Sequence, residues 1–185
     1  MIKYTYKDYV KLPSFDVGGI LWELINGVIQ MVSAPKDIHQ ELSSNISGEL
    51  YNFIKKNKKD CKLRFSPYDV YLKDNIILQP DISIICELDK ISKRGCNGIP
   101  DLIVEILSEG TKRNDLPGGS KFNIYQEFLL QEYWIVDPLD AENITLTQFV
   151  LEDEILVQKQ IYTKNDKITS YIFPDLEIDL KEIFE

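Results

Sequence analysis

The sequence predicts a mixed α/β fold, an α+β mixed sheet in one domain spanning residues 1–185. Three observations predict it. Two nearly continuous apolar runs, residues 100–108 and 133–138, have the pattern of central strands covered on both faces. Between them, Phe122, Tyr125 and Leu129 fall on one side of a helix over Ser120 to Leu130, which makes that helix a crossover between the two strands. Earlier, Ile38, Leu42, Ile46, Leu50, Phe53 and Ile54 form one apolar stripe of a long helix.

The remaining elements follow in order. A short helix begins after Thr5, with Asp8 three residues on to close its cap and Pro13 just past its end. Two apolar runs, 20–25 and 28–32, flank Asn26-Gly27; both turn residues tolerate positive φ, so the runs form an N-terminal hairpin. Pro35-Lys36-Asp37 opens the long helix, and the lysines at 55, 56, 58 and 59 suit the negative end of its dipole. Cys61 to Phe65 is a short strand, and Tyr68, Val70 and Leu72 alternate with polar residues. Asp74-Asn75 turns the chain into an apolar run from Ile76 to Cys86. A loop rich in charge and glycine occupies 109–119. Antiparallel strands are expected over 144–151 and 155–162, and in a final segment from Tyr171.

Composition narrows the function. No stretch reaches the roughly 20 apolar residues of a membrane helix, and the first residues lack the apolar region of a secretory signal. The three cysteines, Cys61, Cys86 and Cys96, contain no C-x-x-C pair and are expected to be reduced, in a cytoplasmic protein. A single histidine argues against structural zinc. The net charge of −9 runs against phosphate binding, which rests on Lys and Arg. Local basic clusters do exist at 55–59, Lys93-Arg94 and Lys112-Arg113, and acidity also suits a site that concentrates metal cations.

Two carboxylates stand out. Glu105 lies in Leu102-Ile103-Val104-Glu105-Ile106-Leu107, where every neighbour is apolar, and Asp81 precedes Ile82-Ser83-Ile84-Ile85. A carboxylate in such a strand is costly unless it is paired, hydrogen-bonded or on a metal. Two of them together repel, and a divalent cation relieves the repulsion. From these residues alone two readings stand: a shared metal ion, or carboxylates that cap strand ends and pair with lysines.

Pro80-Asp81, then Pro100-Asp101-Leu102-Ile103-Val104-Glu105-Ile106-Leu107-Ser108, then Asp115, Lys121, Tyr125 and Glu132-Tyr133-Trp134-Ile135-Val136-Asp137-Pro138 together resemble the Uma-type restriction endonuclease family of the PD-(D/E)XK nuclease-like superfamily. Trp22-Glu23-Leu24-Ile25-Asn26-Gly27, His39 and the closing Phe173-Pro174-Asp175-Leu176-Glu177-Ile178 extend the resemblance over nearly the whole chain. It implies a restriction-endonuclease-like core and a Mg²⁺-dependent endonuclease acting on phosphodiester bonds in DNA, with Mn²⁺ as a substitute ion. Asp81 and Glu105 are then the metal ligands and, with Lys121 and Glu23, the catalytic residues. The superfamily lysine stands two residues after the acid, where this chain has Leu107; in the resembling family the lysine sits on the following helix, here Lys121. Tyr125 is expected to support Lys121 or to pack in the core. Asp115 is expected to pair with Lys121, bind a second ion or cap a loop. His39 is expected to be a helix-start residue rather than a base, and Gln79 and Ser108 to flank the carboxylates. The expected partners are nucleic acid and a second copy in a homodimer, since symmetric pairing suits cutting of two strands. The alternative, favoured by Leu107, is a degenerate site in a nucleic-acid-binding or partner module that keeps the fold.

Overall fold

The computed structural model describes residues 3–13, 20–32, 35–110, 112–140 and 142–184. Helix α1 (Tyr6–Tyr9) follows Thr5, whose backbone N–H and hydroxyl both donate to Asp8 Oδ2 at 3.0 and 2.9 Å, as the spacing predicts. Strands β1 (Leu21–Ile25) and β2 (Val28–Val32) form the expected hairpin. Its turn residues Asn26 and Gly27 take φ of 52° and 83°, the left-handed values that favour this pair. The long helix is α2 (Asp37–Lys56), with Leu42, Ile46, Leu50, Phe53 and Ile54 buried along one stripe. There follow β3 (Lys62–Phe65), β4 (Val70–Lys73), β5 (Ile76–Leu78), β6 (Ile82–Ile85), β7 (Cys96–Asn97) and β8 (Leu102–Ile106). Helices α3 (Lys112–Asp115) and α4 (Ser120–Glu127) come next, then β9 (Glu132–Asp137), β10 (Thr145–Glu152), β11 (Ile155–Tyr162), β12 (Lys167–Thr169) and β13 (Glu177–Asp179).

Two larger sheets result, ordered β2-β1-β5-β4-β7 and β11-β10-β9-β8-β6-β3, with β12 and β13 paired separately. The central strands β8 and β9 run parallel, Leu102 opposite Glu132 through Ile106 opposite Val136. A parallel pair needs a crossover, and α4 lies within it as expected. The six-stranded sheet is covered on both faces. Leu102, Val104, Ile106, Trp134 and Val136 pack in one cluster with α2 and the C-terminal segment. Ile103, Leu107, Tyr133 and Ile135 pack in another with α4 and with Ile25, Ile76 and Leu78 of the five-stranded sheet. This double coverage is why β8 and β9 read as continuous apolar runs.

Three expectations are corrected. The apolar run from Ile76 to Cys86 is two strands in different sheets: β5 ends at Leu78 and β6 begins at Ile82. Pro80 lacks an N–H for a ladder bond, so the chain leaves one sheet and enters the other around it. The final segment does not run as a strand from Tyr171; it pairs only over β13, against β12. Cys61 and Cys86 are disulfide-bonded, and of the described cysteines only the buried Cys96 is free. The antiparallel register that sets Lys62 opposite Ile85 brings the two cysteines face to face across 25 residues of chain, a proximity that sequence spacing does not reveal. The expected cytoplasmic location leaned on reduced thiols, and the bonded pair removes that support. No described helix is long and apolar enough to cross a membrane.

The C-terminal segment is fastened by one buried anion. Glu132, at the start of β9, is 0% exposed. Its Oε1 accepts from Trp134 Nε1 at 2.7 Å and Gln148 Nε2 at 2.6 Å. Its Oε2 accepts from Ser170 Oγ at 2.7 Å and from the backbone N–H groups of Tyr171 and Ile172 at 2.9 and 3.1 Å. Five donors replace the hydration that the carboxylate loses on burial. Glu132→Ala leaves those donors without their acceptor, and a single orphaned buried group costs about 1–3 kcal/mol. The variant is therefore expected to lose at least about 3 kcal/mol of unfolding free energy in a urea titration, against under about 0.5 kcal/mol for the exposed Glu182→Ala.

Candidate active site

Strand alternation places the site. On β8, residues 102, 104 and 106 face α2, so Glu105 faces α4 between Ile103 and Leu107. Helix α4 presents Lys121 and Tyr125 one turn apart, on the same face. The Lys121 ammonium reaches Glu105 Oε1 at 2.6 Å, and the Tyr125 hydroxyl donates to the same oxygen at 2.6 Å. Strand β1 brings Glu23, whose Oε1 lies 3.3 Å from Lys121 Nζ and accepts the Gln79 backbone N–H at 2.9 Å. The end of α3 brings Asp115, with Oδ1 3.4 Å from Lys121 Nζ. That oxygen is buried, and its contact with Lys121 is an ion pair. The Tyr133 hydroxyl donates to the Asp115 backbone carbonyl at 3.1 Å and holds the end of α3 down. Relative exposures are 5% for Glu23, 3% for Glu105, 2% for Asp115 and 5% for Lys121.

Asp81 completes the group from the crossing between the sheets. Ile82 opposite Val104 sets Asp81 beside Glu105, and the Asp81 N–H lies 3.4 Å from Glu105 Oε2. Asp81 Oδ2 accepts the Ile106 N–H at 2.7 Å and lies 3.1 Å from His39 Nε2, in the first turn of α2. The two central carboxylates share one design. Each has an oxygen bound firmly by the protein, Asp81 Oδ2 and Glu105 Oε1. Glu105 Oε2 has the long contact from the Asp81 N–H.

Charge inside the cluster is unbalanced, with Glu23, Asp81, Glu105 and Asp115 around a single lysine. Burial raises Glu105 well above the ordinary carboxylate value, Lys121 opposes the rise, and Asp115, Asp81 and Glu23 add to it. Asp115 is raised for the same reason, burial first, with Lys121 opposing. Burial on its own lowers Lys121, yet Asp115, Glu105 and Glu23 outweigh it and hold the ammonium well above the usual lysine value. Lys121 therefore stays charged, and Glu105 and Asp115 are pushed towards their protonated forms. Burial also disfavours the His39 cation, but the hydrogen bond and charge of Asp81 prevail and raise it.

The donor set suits a hard cation. Among the described residues no group of three or more His, Cys, Asp or Glu side chains forms a metal cage. Mg²⁺ needs none, because it keeps several waters and takes one or two carboxylates. Asp81 and Glu105 supply that number.

A family model described as "Putative restriction endonuclease" matches residues 6–181. The chain belongs to the Uma2 family. A crystal structure from Anabaena variabilis ATCC 29413, described as "a putative nuclease belonging to DUF820", shares the fold, with a TM-score of 0.73, 17% identity and 97% coverage of both chains. No protein of curated function matches the sequence. In this Uma2 protein Leu107 is 2% exposed and packs in the α4 cluster, while the buried ammonium beside Glu105 is that of Lys121 on α4.

The four residues singled out in the sequence, Glu23, Asp81, Glu105 and Lys121, lie together. Asp115 takes the lysine-pairing role among those weighed for it. Tyr125 is both packed and bonded to Glu105, and Gln79 reaches the site through its backbone. The Gln79 side chain turns away, to Asp69 Oδ1 at 2.7 Å. His39 is more than a helix-start residue, since it holds Asp81. Sequence reading missed Tyr133 and the Ile106 N–H, because a backbone donor and a core tyrosine carry no chemical signature.

Two substitutions test the charge balance. A carboxyl raised in the folded state stabilises the fold below its ordinary value of 4.5 and loses that contribution as pH rises through its folded value. Glu105→Gln is therefore expected to raise Tm over wild type, by an amount that grows as pH rises above the ordinary carboxylate value of 4.5, read by calorimetry. A variant less stable than wild type at the upper pH would mean that Glu105 is ionised and held by Lys121. Lys121→Met removes the ammonium from among Glu23, Glu105 and Asp115 and is expected to cost about 3–5 kcal/mol.

Proposed function

We propose that this Uma2 protein is a Mg²⁺-dependent endonuclease that hydrolyses phosphodiester bonds in DNA, with Mn²⁺ as a working substitute. The observation that carries the reading is the buried contact of Lys121 Nζ with Glu105 Oε1 at 2.6 Å. A surface lysine would make no such contact, and burying an ammonium among carboxylates is costly enough to need a purpose. Family membership supports phosphodiester chemistry.

Asp81 and Glu105 would hold the ion, each through the oxygen that the protein leaves least engaged. Bound Mg²⁺ supplies positive charge for the scissile phosphate and lowers the pKa of an attacking water. The protein's own groups do the positioning. The Ile106 N–H and His39 fix Asp81, and Tyr125 fixes Glu105. Lys121 stays cationic at the site, where it steadies a hydroxide or the charge that develops on the phosphoryl oxygens. Glu23 and Asp115 hold the ammonium in place. A two-fold dimer would set two such sites against opposite strands.

Plasmid and single-stranded DNA with Mg²⁺ or Mn²⁺ provide the test. Asp81→Ala, Glu105→Ala and Lys121→Ala are each expected to lower the cleavage rate at least about 100-fold, as expected when charge stabilisation is removed. Cleavage equal in wild type and all three variants would come from a contaminant, and the assignment would fail. Leu107 keeps the second reading, a degenerate binding module. Mn²⁺ binding by calorimetry together with no cleavage of either substrate selects that reading.

A further inference from the structure

The chain has 30 acidic residues against 21 basic ones, a poor average for gripping a polyanion. The basic residues are not spread evenly. A groove of about 500 Å³ between the C-terminal end of α2 and β3 is lined by Tyr51, Lys55, Lys58, Lys59, Lys62 and Arg64, with Asp60 as its only acid. Elsewhere five surface lysines sit against carboxylates, Lys11 with Asp8, Lys90 with Glu87, Lys167 with Glu177, and likewise Lys73 with Glu127 and Lys159 with Glu152, while others, Lys7, Lys164 and Lys181 among them, form no ion pair with a described residue. In the groove Lys59 is paired, with Asp175 at 3.0 Å. Lys55, Lys58, Lys62 and Arg64 form no ion pair with any described residue. A cation already matched to a carboxylate gains little from a phosphate, so the unmatched ones are those free to bind it.

Two further observations fit a nucleic-acid strand. Tyr51 is 50% exposed, and Lys55 Nζ stands 5.5 Å above its ring. An aromatic face among cations is the combination that takes bases together with backbone. The groove also leads to the candidate active site. Helix α2 carries His39 at one end and Lys55 sixteen residues on, about 24 Å away at 1.5 Å per residue. Strand β3, the outer strand of its sheet, ends beside Asp81, whose backbone carbonyl accepts the Ser66 N–H at 3.0 Å. That span matches about seven base-pair steps of 3.4 Å.

We propose that this groove binds the sugar–phosphate backbone of the nucleic acid away from the scissile bond and aligns the strand with Asp81 and Glu105. The choice of nucleic acid as the polyanion rests on the nuclease reading. Lysines on an outer strand also discourage sheet-to-sheet association, but Lys55 and Lys58 stand at the end of a helix, where they protect no edge.

Fluorescence anisotropy with labelled single-stranded and duplex DNA in EDTA reads binding without cleavage. The triple variant Lys55→Gln/Lys58→Gln/Lys62→Gln is expected to bind at least about tenfold more weakly at 0.1 M salt, and to lower the slope of log K against log salt by about 2–3. Lys59 is left intact because it holds Asp175. A control with the same net charge, Lys7→Gln/Lys164→Gln/Lys181→Gln, is expected to stay within about twofold of wild type. If the triple variant misfolds by circular dichroism, Lys55→Gln and Lys62→Gln alone are each expected to reduce the salt slope by about 1. An unchanged groove variant, an equal loss in the control, or displacement of DNA by polyglutamate at equal charge would overturn the proposal; the last outcome would mark a dock for an acidic protein. DNA cleavage that does not depend on the groove removes this inference and leaves the nuclease reading. Groove-dependent binding without cleavage in Mg²⁺ does the reverse. Absence of binding to either DNA form overturns the groove.

Discussion

A lysine ammonium buried among carboxylates is the constraint around which this molecule is arranged. Lys121 touches Glu105 of β8, Glu23 of β1 and Asp115 of α3. These elements come from both large sheets and from the segment before α4. A buried cation is tolerable only when matched, and buried anions in excess are tolerable only when hydrogen-bonded or bound to a further cation. The position of one side chain therefore fixes how α4 sits on β8 and how near the five-stranded sheet approaches.

The opposite treatment of Glu132 makes the contrast informative. Glu132 is as deeply buried as any described residue, and five donors surround it. Its charge is spent on fastening the C-terminal segment. Glu105 and Asp115 lie in a pocket that satisfies them incompletely, and both are pushed towards the protonated form. Incomplete satisfaction of buried acids weakens a fold, and it is on this imbalance that the proposed metal site rests.

Charge is also segregated over longer distances. Acidic excess gathers around Lys121, while unmatched lysines line the groove beyond the end of α2. One helix links these regions, since His39 near its start holds Asp81 and Lys55 near its end borders the groove. An overall charge of −9 therefore says little about how the surface meets an anion.

Periodicity by itself determined the hairpin at Asn26-Gly27, the stripe of α2, the central strands β8 and β9 and the crossover between them, because each is dictated by local geometry and burial. It also exposed Glu105, since a carboxylate in a run of apolar residues conflicts with its surroundings. Resemblance in order and spacing added Glu23 and Lys121. Tertiary structure alone decided the rest. It divided the run from Ile76 to Cys86 between two sheets at Pro80, and so placed Asp81 opposite Glu105. It joined Cys61 to Cys86 through strand register, and it drew His39, Asp115 and Tyr133 to the site. Those contacts link residues far apart in the chain, and their energies depend on desolvation, which is set only when the sheets and helices close over them.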